Sequence, residues 1–194
     1  MLELPLFPLP VVLFPGAELP LQIFEPRYLR MVKEVMKSSS GFVIVQSMPT
    51  AEHGTTRDGF CTVGCYAEIK DWTPLPGNLL GIDVQGINKV RIHSHREESD
   101  KLLIGTCEHL PEEVHFPVPE KHQSLVQLLQ DLNKHPAIQD LGFAVDYNDA
   151  SDVSKRLAEF LPFEAAEKQL LLETDDALIR LETIHSLIRQ IGVR

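Results

Sequence analysis

The pattern of apolar and polar positions changes character near residue 117. Before that point, apolar residues come in short runs broken by Gly and Pro, which is typical of strands joined by turns. After it, apolar residues recur at the spacing of an α-helix. We therefore predict an α+β fold with a β-rich domain at residues 1–116 and a helical domain at residues 117–194.

The β-rich part is predicted to contain several short strands and one inserted helix. Prolines at positions 5, 8, 10 and 20 cannot donate ladder hydrogen bonds, so they suit strand ends or sheet edges. A helix is predicted to begin at Pro26, which fits a first helical position, and to end in the stretch 38–41. This pattern favours a small barrel or rolled sheet over a flat meander. The predicted strands cover residues 3–9, 11–14, 19–24, 42–46, 61–72, 79–84, 89–93 and 102–110.

The second part is predicted to hold four short helices. Pro119 is expected to start the first, and another is expected at residues 164–173. Ser151 or Asp152 is predicted to cap the second helix and Asp175 the last, because short polar side chains accept hydrogen bonds from the first turn. Each helix has an apolar stripe that must pack on another helix or on the sheet.

The charge is acidic and evenly spread. The chain has 18 basic and 28 acidic residues, a net charge of −10. Residues 1–116 hold 10 basic and 15 acidic residues and residues 117–194 hold 8 and 13, so each part carries −5. A surface of this sign repels a phosphate backbone, and therefore nucleic acid is not an expected partner.

The sequence also favours the reducing environment of the cytoplasm and no insertion into a membrane. Three cysteines, an odd number, argue against a disulfide framework. No apolar run approaches the ~20 residues that span a bilayer, and the N-terminus lacks the basic region of a signal peptide. We predict a cytoplasmic protein that has no membrane partner.

Residues 4–32 read LPLFPLPVVLFPGAELPLQIFEPRYLRMV. The ordered elements L-F-P-L, L-F-P-G, L-P-L and I-F-E-P-R-Y resemble the opening signature of the Lon protease N-terminal domain family. Weaker similarity follows in order, at residues 63–69 and 161–184. The resemblance implies a β-barrel of the PUA-like type, followed by an α-helical bundle. The motif positions that carry it are Phe14, Pro15, Gly16, Phe24, Glu25, Pro26, Arg27 and Tyr28.

Two features depart from the full family pattern. The family usually has a Gly followed closely by Arg-Phe, whereas residues 86–91 here read GINKVR, so a family contact at that place is not expected to carry over. A full Lon protease also continues into an ATPase module and a Ser-Lys peptidase. The chain ends eleven residues after Thr183, so we expect a stand-alone module without either activity.

Motifs for catalysis are missing from the sequence. There is no Gly-Lys pair for a phosphate-binding loop, no Gly-x-Ser-x-Gly elbow and no His-Glu-x-x-His helix. His93 with His95, and Cys107 with His109, are pairs two residues apart that would make a zinc site if their strands were neighbours. We favour ordinary sheet residues, since the tight turn of known Cys/His sites is lacking. We predict no catalytic residue, no cofactor and no metal ligand.

Four further residues invite a functional interpretation. Glu25 and Arg27 flank the helix start, where an anion is favourable and an arginine can tie the helix to the sheet, so we interpret them as structural. Trp72 and Leu75, in a proline-rich loop, are predicted to bind a partner, and a Trp72 that simply covers the sheet is an equal alternative.

The function expected from the resemblance is a non-catalytic module that binds polypeptides, either unfolded or specific, through an apolar groove. An RNA-binding PUA-like protein is the alternative, against which the charge of −10 speaks. The partners predicted are polypeptides, with a homodimer left open.

Overall fold

A computed structural model describes residues 1–48, 59–77, 79–139 and 144–192. The chain is mixed α+β, as predicted, and divides into two compact units, Met1–Pro111 and Glu112–Arg194. The division falls five residues before the predicted boundary after residue 116, because residues 112–116 belong with the helices that follow.

Unit 1 contains six strands and one helix. Helix α1 begins at Pro26, as predicted, and its N-cap residue Glu25 has extended backbone angles. Ser39 ends the helix in the left-handed conformation, with its N–H bonded to the Met36 carbonyl. The elements are β1 (Leu2–Leu9), β2 (Glu18–Ile23), α1 (Pro26–Ser38), β3 (Phe42–Gln46), β4 (Val63–Leu75), β5 (Leu79–Glu97) and β6 (Leu103–His109).

The strands form a sheet that closes on itself. The order is β2-β5-β4-β3-β1-β6, and β5 also pairs with β6, so β5, β4, β3, β1 and β6 make a ring. β1 and β3 are parallel and the other pairs are antiparallel. Strand β2 lies outside the ring and pairs, among the described residues, with β5 alone.

Two predicted strand boundaries are wrong. The separate strands predicted at 79–84 and 89–93 are one strand, β5, which continues through a register shift against β4 at Ile87. The strand predicted at 11–14 does not form, because this segment runs into a turn at Gly16. Apolar residues at 11–14 predict a strand, but Leu13 and Phe14 are buried in an irregular segment just before the turn.

A close backbone contact joins this turn to β5. The Gly16 N–H donates to the Gly86 carbonyl at 2.7 Å, and the Gly86 N–H donates to the Ala17 carbonyl at 2.9 Å. Gly16 has a φ of 83°, so the pair is a β-bulge of the glycine type. A Cβ on Gly86 would lie 2.4 Å from the Phe14 carbonyl oxygen. Both glycines are therefore required by the backbone path at the start of β2.

The core of unit 1 is built from alternate side chains that the ring of strands turns inward. Burial of these side chains is the main favourable term for a closed sheet of this size. Its central cluster is Leu4, Leu6, Val43, Val45, Phe60, Val90, Ile92 and Cys107.

Unit 2 is helical, and its helix at Ala150–Phe160 packs against the helices at Gln123–Leu132, Ala165–Glu173 and Ala177–Ile191. Two predicted caps are wrong by one to three positions. The caps are Asp149, whose carboxylate accepts from the N–H groups of Ser151 and Asp152, and Asp176. Several short polar residues precede each of these helices, and the backbone angles determine which of them takes the N-cap position. The helices are α2 (Gln123–Leu132), α3 (Pro136–Gln139), α4 (Ala150–Phe160), α5 (Ala165–Glu173) and α6 (Ala177–Ile191), after a 3-10 turn at Glu120–His122.

Candidate functional site

The N-terminal signature folds around the start of α1. Phe14 is buried beneath the turn, and Gly16 forms the bulge. Pro26 occupies the first helical turn, where its missing N–H is not needed. Most of the signature is therefore used to build unit 1, and the side chains left over at its surface are the candidates for binding.

Glu25 and Arg27 form a surface ion pair that holds the start of the helix. The Arg27 Nε donates to Glu25 Oε2 at 2.9 Å, and its NH1 donates to the Lys101 carbonyl at 3.0 Å. The guanidinium also lies 4.6 Å from the centre of the Tyr28 ring, a cation–π distance. Tyr28 stacks on Phe7 with ring centres 4.1 Å apart, and burial raises the pKa of its hydroxyl. Both charges are satisfied within the protein.

Beside this ion pair lies an apolar groove with a volume of about 370 Å³. It opens between the second half of β1, the end of β2 and the start of α1. Phe24 is 67% exposed although it directly follows the buried Ile23, the last residue of β2. We call this surface the apolar groove, and its lining residues are Phe7, Pro8, Leu9, Leu21, Gln22, Ile23, Phe24, Glu25, Arg27, Tyr28 and Leu103.

Trp72 and Leu75 are not part of the apolar groove. Trp72 is 50% exposed and lines a different cleft, of about 400 Å³, with Val35 and Met36 from the end of α1. Leu75 is half-buried and pairs with Leu79 at the hairpin between β4 and β5. The structure thus separates these two residues from the signature, and their role in partner binding stays a prediction.

The four residues considered as zinc ligands do not share one face. A register shift between Ile92 and Ser94 turns His93 to the surface, where its Nε2 lies 2.9 Å from Glu108 Oε2. His95 instead packs edge-on against Phe60.

The second pair is separated in the same way. Burial raises the pKa of the Cys107 thiol to about 11, whereas His109 is exposed and bonds to Asn88 at 3.0 Å. Among the described residues, no three His, Cys, Asp or Glu side chains converge as a metal site.

One oriented imidazole in unit 2 was not predicted. The His115 Nδ1 lies 2.7 Å from Asp149 Oδ2, and this hydrogen bond raises the pKa of His115. A His–Asp pair orients a general base in many hydrolases. The neighbouring Ser151, however, donates its hydroxyl to Glu113 at 2.7 Å, so it does not face the imidazole as a nucleophile would. The pair serves the N-terminus of α4, which Asp149 also caps.

Of the two clefts described in unit 1, the apolar groove has the more apolar lining. Its lining is mostly aliphatic and aromatic, and its only charges, on Glu25 and Arg27, neutralise each other. A surface of this kind is able to bury the apolar side chains of a ligand away from water, with few polar groups that then need hydrogen-bond partners. None of the helices in the described part of the chain has the length and apolar character to cross a bilayer.

Unit 1 thus combines a closed ring of strands, one inserted helix and an apolar groove beside the start of that helix. The chain belongs to the family of the ATP-dependent protease La (LON) substrate-binding domain, whose family model matches residues 3–190.

Relatives and solved structures agree with this family. The chain is 24% identical over 190 residues to a Lon protease of Azorhizobium caulinodans and 26% identical over 184 residues to that of Rhizobium meliloti. The matches cover 95% and 92% of this chain but only 22% and 23% of those two proteins, so the chain spans less than a quarter of either.

Two solved structures are also similar. A Lon N-terminal domain protein from Xanthomonas campestris has a TM-score of 0.78 and 26% identity, over 96% of this chain and 98% of that one. The N-terminal domain of a Mycobacterium avium complex Lon protease has a TM-score of 0.66 and 18% identity, over 94% and 95% of the two chains, and shows the shared fold.

Proposed function

We propose that this protein is a non-catalytic module that binds polypeptide segments in the apolar groove. The observation that carries the proposal is the exposed Phe24 side chain beside a groove lined by Phe7 and Leu21. Large apolar side chains at the surface of a soluble domain, next to a concave lining, are typical of protein-binding sites.

Family membership supports the same function. The family is described as a substrate-binding domain, and the relatives are proteases, whose substrates are polypeptides. The closed ring of strands with one inserted helix agrees with a PUA-like barrel. A cytoplasmic location fits the three free cysteines. No observation among the described residues favours the RNA alternative, and the net charge of −10 opposes it.

The test measures binding to a labelled, permanently unfolded polypeptide by fluorescence anisotropy. Phe24→Ala should weaken binding about tenfold or more, because burying an aromatic side chain beneath the bound polypeptide contributes roughly 1.5–3 kcal/mol to the binding free energy. Ile87→Ala is the matched control, since Ile87 is an exposed apolar residue outside the groove lining. Both variants should keep the wild-type melting temperature because both side chains lie at the surface.

Equal binding by wild type, Phe24→Ala and Ile87→Ala would remove the groove from the function. Binding of a labelled single-stranded RNA at low salt, with no binding of the unfolded polypeptide, would replace the proposal with the RNA alternative.

A further inference from the structure

Strand β2 has an unpaired edge next to the apolar groove. Within the described residues its only strand neighbour is β5, and Leu21, Gln22 and Ile23 also line the groove. Residues 7–9 of β1 also line the groove, and in the described part of the chain β6 pairs with β1 only from Leu2 to Leu6. An open strand edge displays backbone donors and acceptors that another extended chain is able to use.

The bulge at Gly16 determines which β2 residues turn toward this open edge. The bond between Gly86 and Ala17 makes that pair a hydrogen-bonded one, so Leu19, Leu21 and Ile23 also bond to β5. Residues 18, 20 and 22 then direct their backbone groups outward. Proline at position 20 agrees with this assignment, because its lack of an N–H does not break the pairing with β5. The open edge therefore offers the N–H groups of Glu18 and Gln22 and the carbonyls of residues 18, 20 and 22.

The two faces beside this edge differ in chemistry. Leu19, Leu21 and Ile23 lie on the groove face, opposite Val84, Ile82 and Leu80 of β5. A strand added to β2 would place every second side chain on this face, against the apolar lining. The ligand therefore needs apolar residues at alternate positions.

The opposite face is acidic. Asp83 of β5 lies directly opposite both Pro20 of β2 and Asp71 of β4, and Glu18 shares the same face. All three carboxylates are exposed, and none has an ion pair within the described part of the chain. Lys70, next to Asp71 in sequence, pairs with none of them. Glu18 on β2 and Asp83 on β5 are the carboxylates nearest the open edge, and Asp71 on β4, directly opposite Asp83, adds to the negative charge there.

We propose that a polypeptide binds as an additional strand on the free edge of β2, with apolar side chains on the groove face alternating with basic side chains on the acidic face. This inference rests on the proposed function and names the segments it selects. The occupant is an extended stretch of at least five residues in which Leu- or Phe-like residues alternate with Lys or Arg. Backbone hydrogen bonds to Gln22 fix its register, and the carboxylates of Glu18 and Asp83 select its charge.

The test uses labelled heptapeptides and fluorescence anisotropy. A peptide in which three leucines alternate with four lysines should bind about tenfold more tightly than an isomer with the leucines grouped, and than a version with glutamate in place of lysine. Methylation of the peptide nitrogens that point toward β2 should weaken binding about five- to tenfold, because a hydrogen bond to β2 is removed. Methylation of the alternate nitrogens, which point away from β2, should have little effect. The binding of the lysine peptide should also fall as salt rises.

Two protein variants test the hydrogen bond that the Gln22 N–H donates to the bound peptide. Gln22→Pro removes the outward N–H at a position equivalent to Pro20, whereas Gln22→Ala keeps it. The proline variant should lose about five- to tenfold in affinity and the alanine variant almost none. If Gln22→Pro fails to fold, the methylated peptides decide alone.

The proposed function and this inference fail differently. Equal binding of methylated and unmethylated peptides, with normal binding of the unfolded polypeptide, overturns strand addition and leaves the groove in place. No binding of any polypeptide to wild type overturns both. A dimer in sedimentation that Gln22→Pro dissociates would show that a second copy occupies the edge, which also overturns the inference.

Discussion

The buried ion pair between Glu113 and Arg180 gives the sharpest prediction for stability. Arg180 is 1% exposed, and its guanidinium donates to both Glu113 oxygens, to Ser154 Oγ and to the carbonyls of Leu171 and Thr174. The Glu113 side chain is 5% exposed. Residues 67 positions apart are thereby fixed together in unit 2. The perturbation is Glu113→Gln, which keeps the shape and removes the charge.

The low pKa of Glu113 and the general cost of breaking a buried ion pair give similar values for the stability that Glu113→Gln should lose. Burial by itself would raise the pKa of Glu113, but hydrogen bonds and charge from Arg180, with Lys155 and Ser151, lower it to about 2. At roughly 1.4 kcal/mol for each pH unit below the ordinary value of 4.5, the ionised carboxylate contributes about 3 kcal/mol to folding. Removing one partner of a buried pair is expected to cost roughly 3–5 kcal/mol, because the other charge is left unpaired.

The assay is urea unfolding at neutral pH, followed by circular dichroism. Glu113→Gln should lose about 3 kcal/mol, and Glu112→Gln, which changes the exposed neighbouring carboxylate, should lose less than about 1 kcal/mol. Replacing Arg180 by Met in the Glu113→Gln background should recover part of the loss, since no charge is then buried alone. A loss below about 1 kcal/mol for Glu113→Gln, or equal losses for the two glutamates, would refute the reasoning.

The same pair predicts a dependence on pH. The folded pKa of Glu113 lies below the unfolded value, so its contribution is present above about pH 4.5 and is lost as the pH falls toward 2. The wild type should therefore lose stability across this window more steeply than Glu113→Gln. Parallel curves for the two proteins would contradict the low pKa.

Three further predictions concern single side chains. His122 is 3% exposed, and among the described residues neither of its ring nitrogens has a hydrogen-bond partner. Because burial lowers the pKa of His122, the wild type should lose stability as the pH falls through 6.5; in thermal scans His122→Phe should flatten that slope, whereas His185→Gln should not. Arg27→Ala should lower the melting temperature by roughly 2–4 °C with polypeptide affinity unchanged; lost binding at an unchanged melting temperature would make Arg27 a binding residue. Gly86→Ala should destabilise by about 1–3 kcal/mol in urea, because its Cβ would meet the Phe14 carbonyl, and wild-type stability would contradict the close approach.

Elements with strong local signals were predicted well. Strand 42–46 matches β3 at both ends, and α1 begins at Pro26, because a continuous β-branched run and a first-turn proline act over a few residues. Caps at Asp149 and Asp176 were misplaced by one to three residues, since neighbouring polar side chains compete for the same role. The strand at 11–14 failed because burial in a turn and burial in a strand leave the same apolar pattern.

The candidate site could be predicted only in part. The signature predicted that some of its apolar side chains stay exposed and form a groove. In the structure, Phe24 is exposed and lies in the lining of the apolar groove at the start of α1. Trp72 drew attention because it is the only tryptophan, but its cleft lies at the other end of the helix. Sequence spacing also paired His93 with His95, a pairing that the register shift in β5 breaks.

By itself the sequence determined the family, the mixed α+β class, the acidic charge and most of the helices and strands, because composition, periodicity and caps act within short stretches of chain. The tertiary structure decided the closure of the ring through β5, the open edge of β2 and the junction of Glu113 with Arg180. These features depend on register and on contacts between residues far apart. A shift of one residue in a strand reverses every side chain and every backbone hydrogen bond, and no local pattern specifies that choice.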